Sequence, residues 1–195
     1  MGTIVEAFRY VLQSLLGLLL FAVLLRLLLQ LVRADFYNPI SQLVVRITNP
    51  LLRPLRRAIP SWGRLDTASL VLAMAIQCAA ALLILWLAGF RPPNPLLLLA
   101  WAATGICAVL VNIYFFAILA AIILSWIAPQ SQHPAVALLY QLTEPVMAPV
   151  RRLLPSLGGL DFSPILVFVA INVLEIVLRG IAQAIDLPGG LIIGF

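Results

Sequence analysis

The chain has 195 residues, of which 64% are hydrophobic and 10% charged, and its mean hydropathy is +1.13. That leaves too little polar surface to cover a soluble core, so a soluble globular domain is excluded and an integral membrane protein is expected. Twelve basic residues, all arginine, face seven acidic ones for a formal charge of +5, but no aromatic-and-basic module accompanies them, which argues against nucleic acid as a partner.

Residues 1–9 are nearly neutral, with Glu6 opposing Arg9, and Tyr10 to Val32 then forms an apolar run. At about 1.5 Å per residue that run crosses a hydrocarbon core of about 30 Å, and its length favours a retained span over a cleaved signal peptide. Arg33 to Asp66 leaves the membrane. Asn38-Pro39 predicts a helix N-cap with proline at the first position, after which Ile40, Leu43, Val44 and Ile47 share a face opposite Gln42 and Arg46, the pattern of a helix lying in the interface plane. Pro50 and Pro54 each lack the N–H that a helix interior needs, so the chain is expected to break there into an interfacial or re-entrant elbow. Pro60, Ser61 and Gly63 predict the turn out of it, and Asp66-Thr67 opens a second span reaching Phe90.

Arg91 to Pro95 is a stiff, proline-rich connector. Leu96 to Ile127 is longer than one span requires, so 96–104 reads as an interfacial or tilted segment and 105–127 as the third span. His133-Pro134 followed by Val136, Leu138, Leu139 and Leu142 repeats the start of the first connector, the second elbow covers 128–161, and Ser163-Pro164 leads into a fourth span over 162–184. A glycine-rich tail follows.

Thr48 to Asp66 superposes on Thr143 to Asp161 at a shift of 95 residues without a gap, with ten of nineteen positions identical, nearly all of them Thr, Pro, Arg, Ser, Gly or Asp. Leucine-rich chance matching would give leucine pairs, so the chain is read as an internal duplication. The predicted fold is an all-α integral membrane protein of four transmembrane helices in two parallel repeats, 1–90 and 96–195, each built as helix, proline-broken interfacial elbow, helix. Eight arginines (Arg33, Arg46, Arg53, Arg56, Arg57, Arg64, Arg151 and Arg152) fall in the elbows, which places the elbows in the cytoplasm and the termini outside.

The arginine pairs Arg56-Arg57 and Arg151-Arg152 are the foremost binding candidates, because guanidinium groups take phosphate through paired donors. They read either as clamps for anionic lipid headgroups or a partner, or as topology determinants snorkelling to the interface. Pro50, Pro54, Pro60, Ser61, Gly63 and Asp66 frame the first pair, and Pro145, Pro149, Pro155, Ser156, Gly158 and Asp161 the second. Each Asp either caps the next helix or closes onto its own arginine pair.

Within the spans, Gln77 and Asn172 are equivalent under the shift and sit near the bilayer midplane, where two amides could bond across the pseudo-twofold or line a solute path. Arg26 is a charge inside the apolar core, with Ala121 as its counterpart, and Asn112 is a further polar candidate. Glu175 and Arg179 are spaced to pair along one helix, with Glu175 a minor candidate for a proton or cation step. Ala75-xxx-Ala79 and Ala117-xxx-Ala121 give small-residue spacing for close packing, within the chain or in a homo-oligomer. Cys78, Cys107 and the single His133 offer no metal or cofactor spacing, and no catalytic constellation is evident, so no enzyme activity is expected.

With the motif PxxxPxRRxxPSxGxxD present twice, the whole chain resembles the YggT family of bacterial inner-membrane proteins. The resemblance implies a multi-pass inner-membrane protein linked to osmotic-stress tolerance and ion balance. YlmG relatives and plastid cousins imply alternatives in cell division, nucleoid distribution or haem attachment, and a channel or transporter remains the rival reading of the polar span residues. Arg53 becomes Ala148 and Arg64 becomes Gly159, so the second elbow is less basic than the first.

Overall fold

The computed structural model describes residues 3–128, 130–153 and 161–195. The described residues form six helices: α1 Thr3–Leu31, α2 Pro39–Ala58, α3 Thr67–Leu87, α4 Pro95–Ile127, α5 Pro134–Leu153 and α6 Ser163–Ala184. Four of them, α1, α3, α4 and α6, are long and apolar enough to cross a membrane. Asn38 starts α2 as the predicted cap and Asn94 caps α4 in the same way, their side-chain oxygens accepting from the amides of Ile40 at 3.0 Å and Leu96 at 2.9 Å, each with proline next in line. α4 runs unbroken from Pro95 to Ile127, so residues 96–104 form its opening turns.

The break expected at the prolines is absent. α2 is helical straight through Pro50 and Pro54, and α5 through Pro145 and Pro149. The reason is where the freed carbonyls lie. Pro50 and Pro54 leave Arg46 and Pro50 without an N–H donor one turn back, and Arg46, Pro50 and Pro54 are all exposed; Gln141, Pro145 and Pro149 are likewise exposed in α5. Spacing of four puts both prolines on the face where water or headgroups satisfy those oxygens, so the helix survives. The chain turns later, at Ile59 and Pro60. There Gly63, at φ 61°, takes the first central position of a two-residue turn closed by Trp62 and Leu65, and that left-handed conformation favours glycine. Pro54→Ala should therefore raise the thermal midpoint of the purified protein, by about 1–3 kcal/mol in stability. A fall in the midpoint would mean that the proline is structurally required.

α2 divides into three sectors. Ser41, Val44, Thr48 and Leu52 are buried against the bundle, Leu43, Ile47 and Leu51 form an exposed apolar strip, and Arg46, Arg53 and Arg57 form an exposed basic one. A helix in an interface needs those three environments: protein, acyl chain and water. α5 departs from this, because Leu138 and Leu142, equivalent to Leu43 and Ile47, are buried against the first repeat, with Leu138 joining Leu29 and Ala34.

The two elbow helices lie on one side of the bundle. Asn38 donates to the Pro134 carbonyl at 2.7 Å, and the Asp35 amide donates to Gln141 Oε1 at 3.0 Å. α1 packs on α3 and α4 on α6 within the repeats, while α3 against α4 joins the halves. The main core brings Leu20, Leu24, Leu72, Ile76, Ile106 and Val109 together.

The tail after α6 folds back into the bundle. Leu191 and Ile192 are buried beside Ala81 and Trp101, and the Trp101 indole donates to the Ile185 carbonyl at 2.9 Å. Arg9 donates to the Gly190 carbonyl at 2.7 Å, fastening the tail to the start of α1.

Candidate functional site: the two arginine-carboxylate elbows

In the first elbow Asp66 is fully buried where the turn meets α3. It makes no side-chain cap to the α3 backbone; instead it accepts hydrogen bonds from the Arg56 guanidinium and the Ser69 hydroxyl. Of the two roles open to it in the sequence, closure onto the arginine pair is the one adopted. Burial pushes the Asp66 carboxyl up, but the hydrogen bonds from Arg56 and Ser69 and the Arg56 charge outweigh that, so it titrates below the ordinary carboxylate value. Arg56 also reaches Gln30 Oε1 at 3.2 Å.

Arg26 completes this cluster from α1. It is 4% exposed, and its Nη1 donates to Thr48 Oγ1 at 2.7 Å and Asn49 Oδ1 at 2.9 Å, with the Val45 carbonyl at 3.5 Å. Thr48 Oγ1 in turn donates to the Val44 carbonyl at 2.7 Å, so one hydroxyl links the α2 backbone to the α1 charge. Arg56 thus holds the Asp66 carboxylate, while Arg26 is held beside it by neutral acceptors of α2.

The second elbow repeats the closure in a wetter place. Arg151 Nε donates to Asp161 Oδ2 at 3.2 Å, and its Nη1 to Glu144 Oε1 at 3.0 Å, with all three side chains about half exposed. Asp161 Oδ1 accepts from the Ser163 amide at 2.9 Å, at the first residue of α6. Burial raises the Asp161 carboxyl, yet the Ser163 hydrogen bonds and Arg151 carry it below its ordinary value. Pro155, Ser156 and Gly158 lie outside the described residues.

Each arginine pair is therefore split between two roles. Arg56 and Arg151 are tied to carboxylates of their own elbow, whereas Arg57 and Arg152 are exposed and make no salt bridge among the described residues. Spacing alone does not distinguish adjacent arginines; the helical rotation between them does.

The intramembrane polar residues do not converge. Gln77 is fully buried, but its partner is the tail: Nε2 donates to the Ile193 carbonyl at 2.8 Å and Oε1 accepts from the Ile193 amide at 3.2 Å. Asn172 is exposed and donates to the Phe168 carbonyl of its own helix at 2.8 Å, so no amide pair crosses the pseudo-twofold. Asn112 lines an apolar cavity of about 570 Å³ between the halves together with Phe21, Leu25 and Leu142. Glu175 and Arg179 pair at 3.4 Å along α6. Thr48, Asn49, Gln30 and Ser69 were not singled out in the sequence as site residues; the identity of Thr48 with Thr143 was the available signal.

The depressed Asp66 value fixes a sign. The contribution of the pair is complete above the unfolded carboxylate value of about 3.9 and is lost as pH falls through the lower folded value. The stability gap between the parent protein and Asp66→Asn should stay constant from about pH 7 to 5 and narrow below about pH 4. Thermal unfolding across that range checks it; a gap that closes already above pH 5 would contradict the assignment.

Comparison with known proteins agrees with this architecture. The family model described as CCB3/YggT matches twice, over residues 5–87 and 100–182, reproducing the shift of 95. The chain is 47% identical over 181 residues to an uncharacterized protein of Pseudomonas aeruginosa, covering 92% of each chain. It is 34% identical over 187 residues to the uncharacterized protein YggT of Escherichia coli K12, covering 94% of each, and 35% identical over 175 residues to a protein of Vibrio alginolyticus, covering 86% of this chain and 90% of that one. No solved structure matches. A duplicated family match over two like helix-elbow-helix halves places this chain in the CCB3/YggT family.

Proposed function

We propose that this chain is a non-enzymatic multi-pass protein of the bacterial inner membrane whose elbow helices hold anionic lipid headgroups at the cytoplasmic face. Through that grip it supports the membrane under osmotic stress and in ion balance, a part of the reading that rests on the family resemblance. The observation that carries the lipid role is the split within each arginine pair. Arg56 and Arg151 stay with carboxylates of their own chain, while Arg57 and Arg152 are exposed, Arg57 together with Arg46 and Arg53 of α2. On α2 those free guanidinium groups flank the apolar strip of Leu43, Ile47 and Leu51, which suits a helix sunk to headgroup level with its cations among phosphates. The concentration of arginine in the elbows supports their cytoplasmic placement.

Phosphatidylglycerol retained by the detergent-purified protein, counted by native mass spectrometry, tests this reading. Arg57→Gln with Arg152→Gln should cut the retained lipid severalfold and leave the thermal midpoint unchanged; Arg56→Gln should lower the midpoint. Retention unaffected by the first pair would overturn the proposal. The transport reading finds less support, since Gln77 faces the tail, Asn172 the periphery and Arg26 its own elbow. An ion flux in liposomes abolished by Gln77→Leu would reverse that preference.

A further inference from the structure

The second elbow contains a cavity of about 430 Å³ whose lining includes Ala121, Tyr140, Thr143, Glu144, Arg151 and Asp161. Under the shift of 95 residues these positions correspond to Arg26, Val45, Thr48, Asn49, Arg56 and Asp66. They are the Arg26 side chain and the groups around it in the first elbow. The apolar wall corresponds as well, Ile122 and Met147 standing where Leu27 and Leu52 pack. In the first repeat this space is filled by a guanidinium held by Thr48 Oγ1 and Asn49 Oδ1. In the second, Ala121 ends at Cβ and the space is open.

The charge changes in the same direction. Arg26, Arg56 and Asp66 sum to +1 in the first elbow, whereas Arg151, Glu144 and Asp161 sum to −1 in the second. The position that accepts from the guanidinium as a neutral amide, Asn49, has become the carboxylate Glu144. Thr143 keeps the hydroxyl geometry of Thr48: it is 2% exposed and donates to the Leu139 carbonyl at 3.0 Å, which leaves its acceptor side toward the cavity, as Thr48 receives Arg26. Tyr140 and Trp126 add aromatic rings to the lining, a side-chain type that attracts cations. Loss of the built-in cation, gain of an anion and retention of the acceptor make a receptor for an external cation, at a volume within the range of small-ligand sites.

We propose that the cavity of the second elbow binds an organic cation bearing a primary ammonium or guanidinium group, seated where Arg26 sits in the first elbow. Glu144 and Asp161 neutralise it, Thr143 accepts one of its N–H groups, and Arg151 remains as the fixed counter-charge between the two carboxylates. The ammonium could come from the headgroup of phosphatidylethanolamine or from a free amine. A quaternary ammonium has no N–H to give Thr143 and should bind less well.

The test uses the full chain in nanodiscs, read by thermal midpoint and by the fluorescence of Trp126 against a Trp126→Phe control. One arm compares phosphatidylethanolamine with phosphatidylcholine bilayers, and the other titrates phosphoethanolamine and ethylammonium into phosphatidylcholine nanodiscs. A higher midpoint in phosphatidylethanolamine alone assigns the lipid as source, and saturable binding of ethylammonium assigns a free cation; either supports the site. Glu144→Gln should weaken the response at least tenfold. Ala121→Arg, which returns a guanidinium to the cavity, should abolish it and raise the basal midpoint. Equal responses in the parent and Glu144→Gln proteins, or no response in either arm, would overturn the proposal.

Discussion

Replacing Asp66 by alanine should lower stability by about 3 kcal/mol, or a thermal midpoint drop of about 6–12 °C, the largest loss expected from any single elbow residue. Asp66 is fully buried and holds the Arg56 guanidinium, next to the site where Arg26 sits on Thr48 and Asn49. Its removal takes the salt-bridge partner from Arg56 and the acceptor from Ser69, and breaking such a pair by removing one partner costs more than the pair returns. Arg26 Nε and Arg56 Nε are already buried without a hydrogen-bond partner, so losing the Asp66 carboxylate adds to donors that are already unmet. Arg26→Met in the Asp66→Ala background should recover part of the loss, because it removes one of the two guanidinium charges. A double-mutant cycle read by thermal unfolding measures this. Strictly additive losses would mean that the groups are not coupled.

Gly105→Val should expel the C-terminal tail. A Cβ at Gly105 would lie 2.1 Å from Ile192 Cγ2, 2.6 Å from Gln77 Nε2 and 3.1 Å from the Ile193 carbonyl oxygen. The first two contacts are far below any tolerated distance, and the third is backbone that cannot rotate away. With the tail displaced, the Gln77 amide and the Ile193 peptide group lose each other inside the bundle, at a cost of about 1–3 kcal/mol. Amide exchange over residues 190–195, followed by mass spectrometry, should accelerate at least tenfold. Gly180→Ala supplies the control: a Cβ there meets nothing within 4 Å, and exchange in the tail should not change. Unchanged exchange in Gly105→Val would contradict the packing of the tail.

Much of the architecture could be read from the residues because its signals are local or periodic. The four spans follow from apolar length, the Asn38 cap from its proline neighbour, and the duplication from non-leucine identities at one fixed shift. The prolines misled because the rule against them assumes that the lost hydrogen bond is buried. Whether Arg46 or Gln141 turns its carbonyl outward depends on which face of the helix the bundle covers, and that is a tertiary property. The match of Gln77 with Asn172 followed correctly from the repeat, but Gln77 finds its partner 116 residues away, in a tail that has no counterpart in the first half. Nor does a motif that writes Arg-Arg twice disclose that one member of each pair is bound internally and the other exposed, since that follows from where Asp66 and Asp161 stand relative to the helix end.

In the proposed function both elbow helices lie at the same headgroup level on the cytoplasmic face, with Arg57 and Arg152 exposed. Single cysteines at these positions, Arg57→Cys and Arg152→Cys in a background with Cys78→Ala and Cys107→Ala, can be labelled with a membrane-impermeant thiol reagent in oriented vesicles. Both should react in inside-out vesicles and neither in right-side-out vesicles. Labelling of the two from opposite sides, or of both only from outside, would contradict the account.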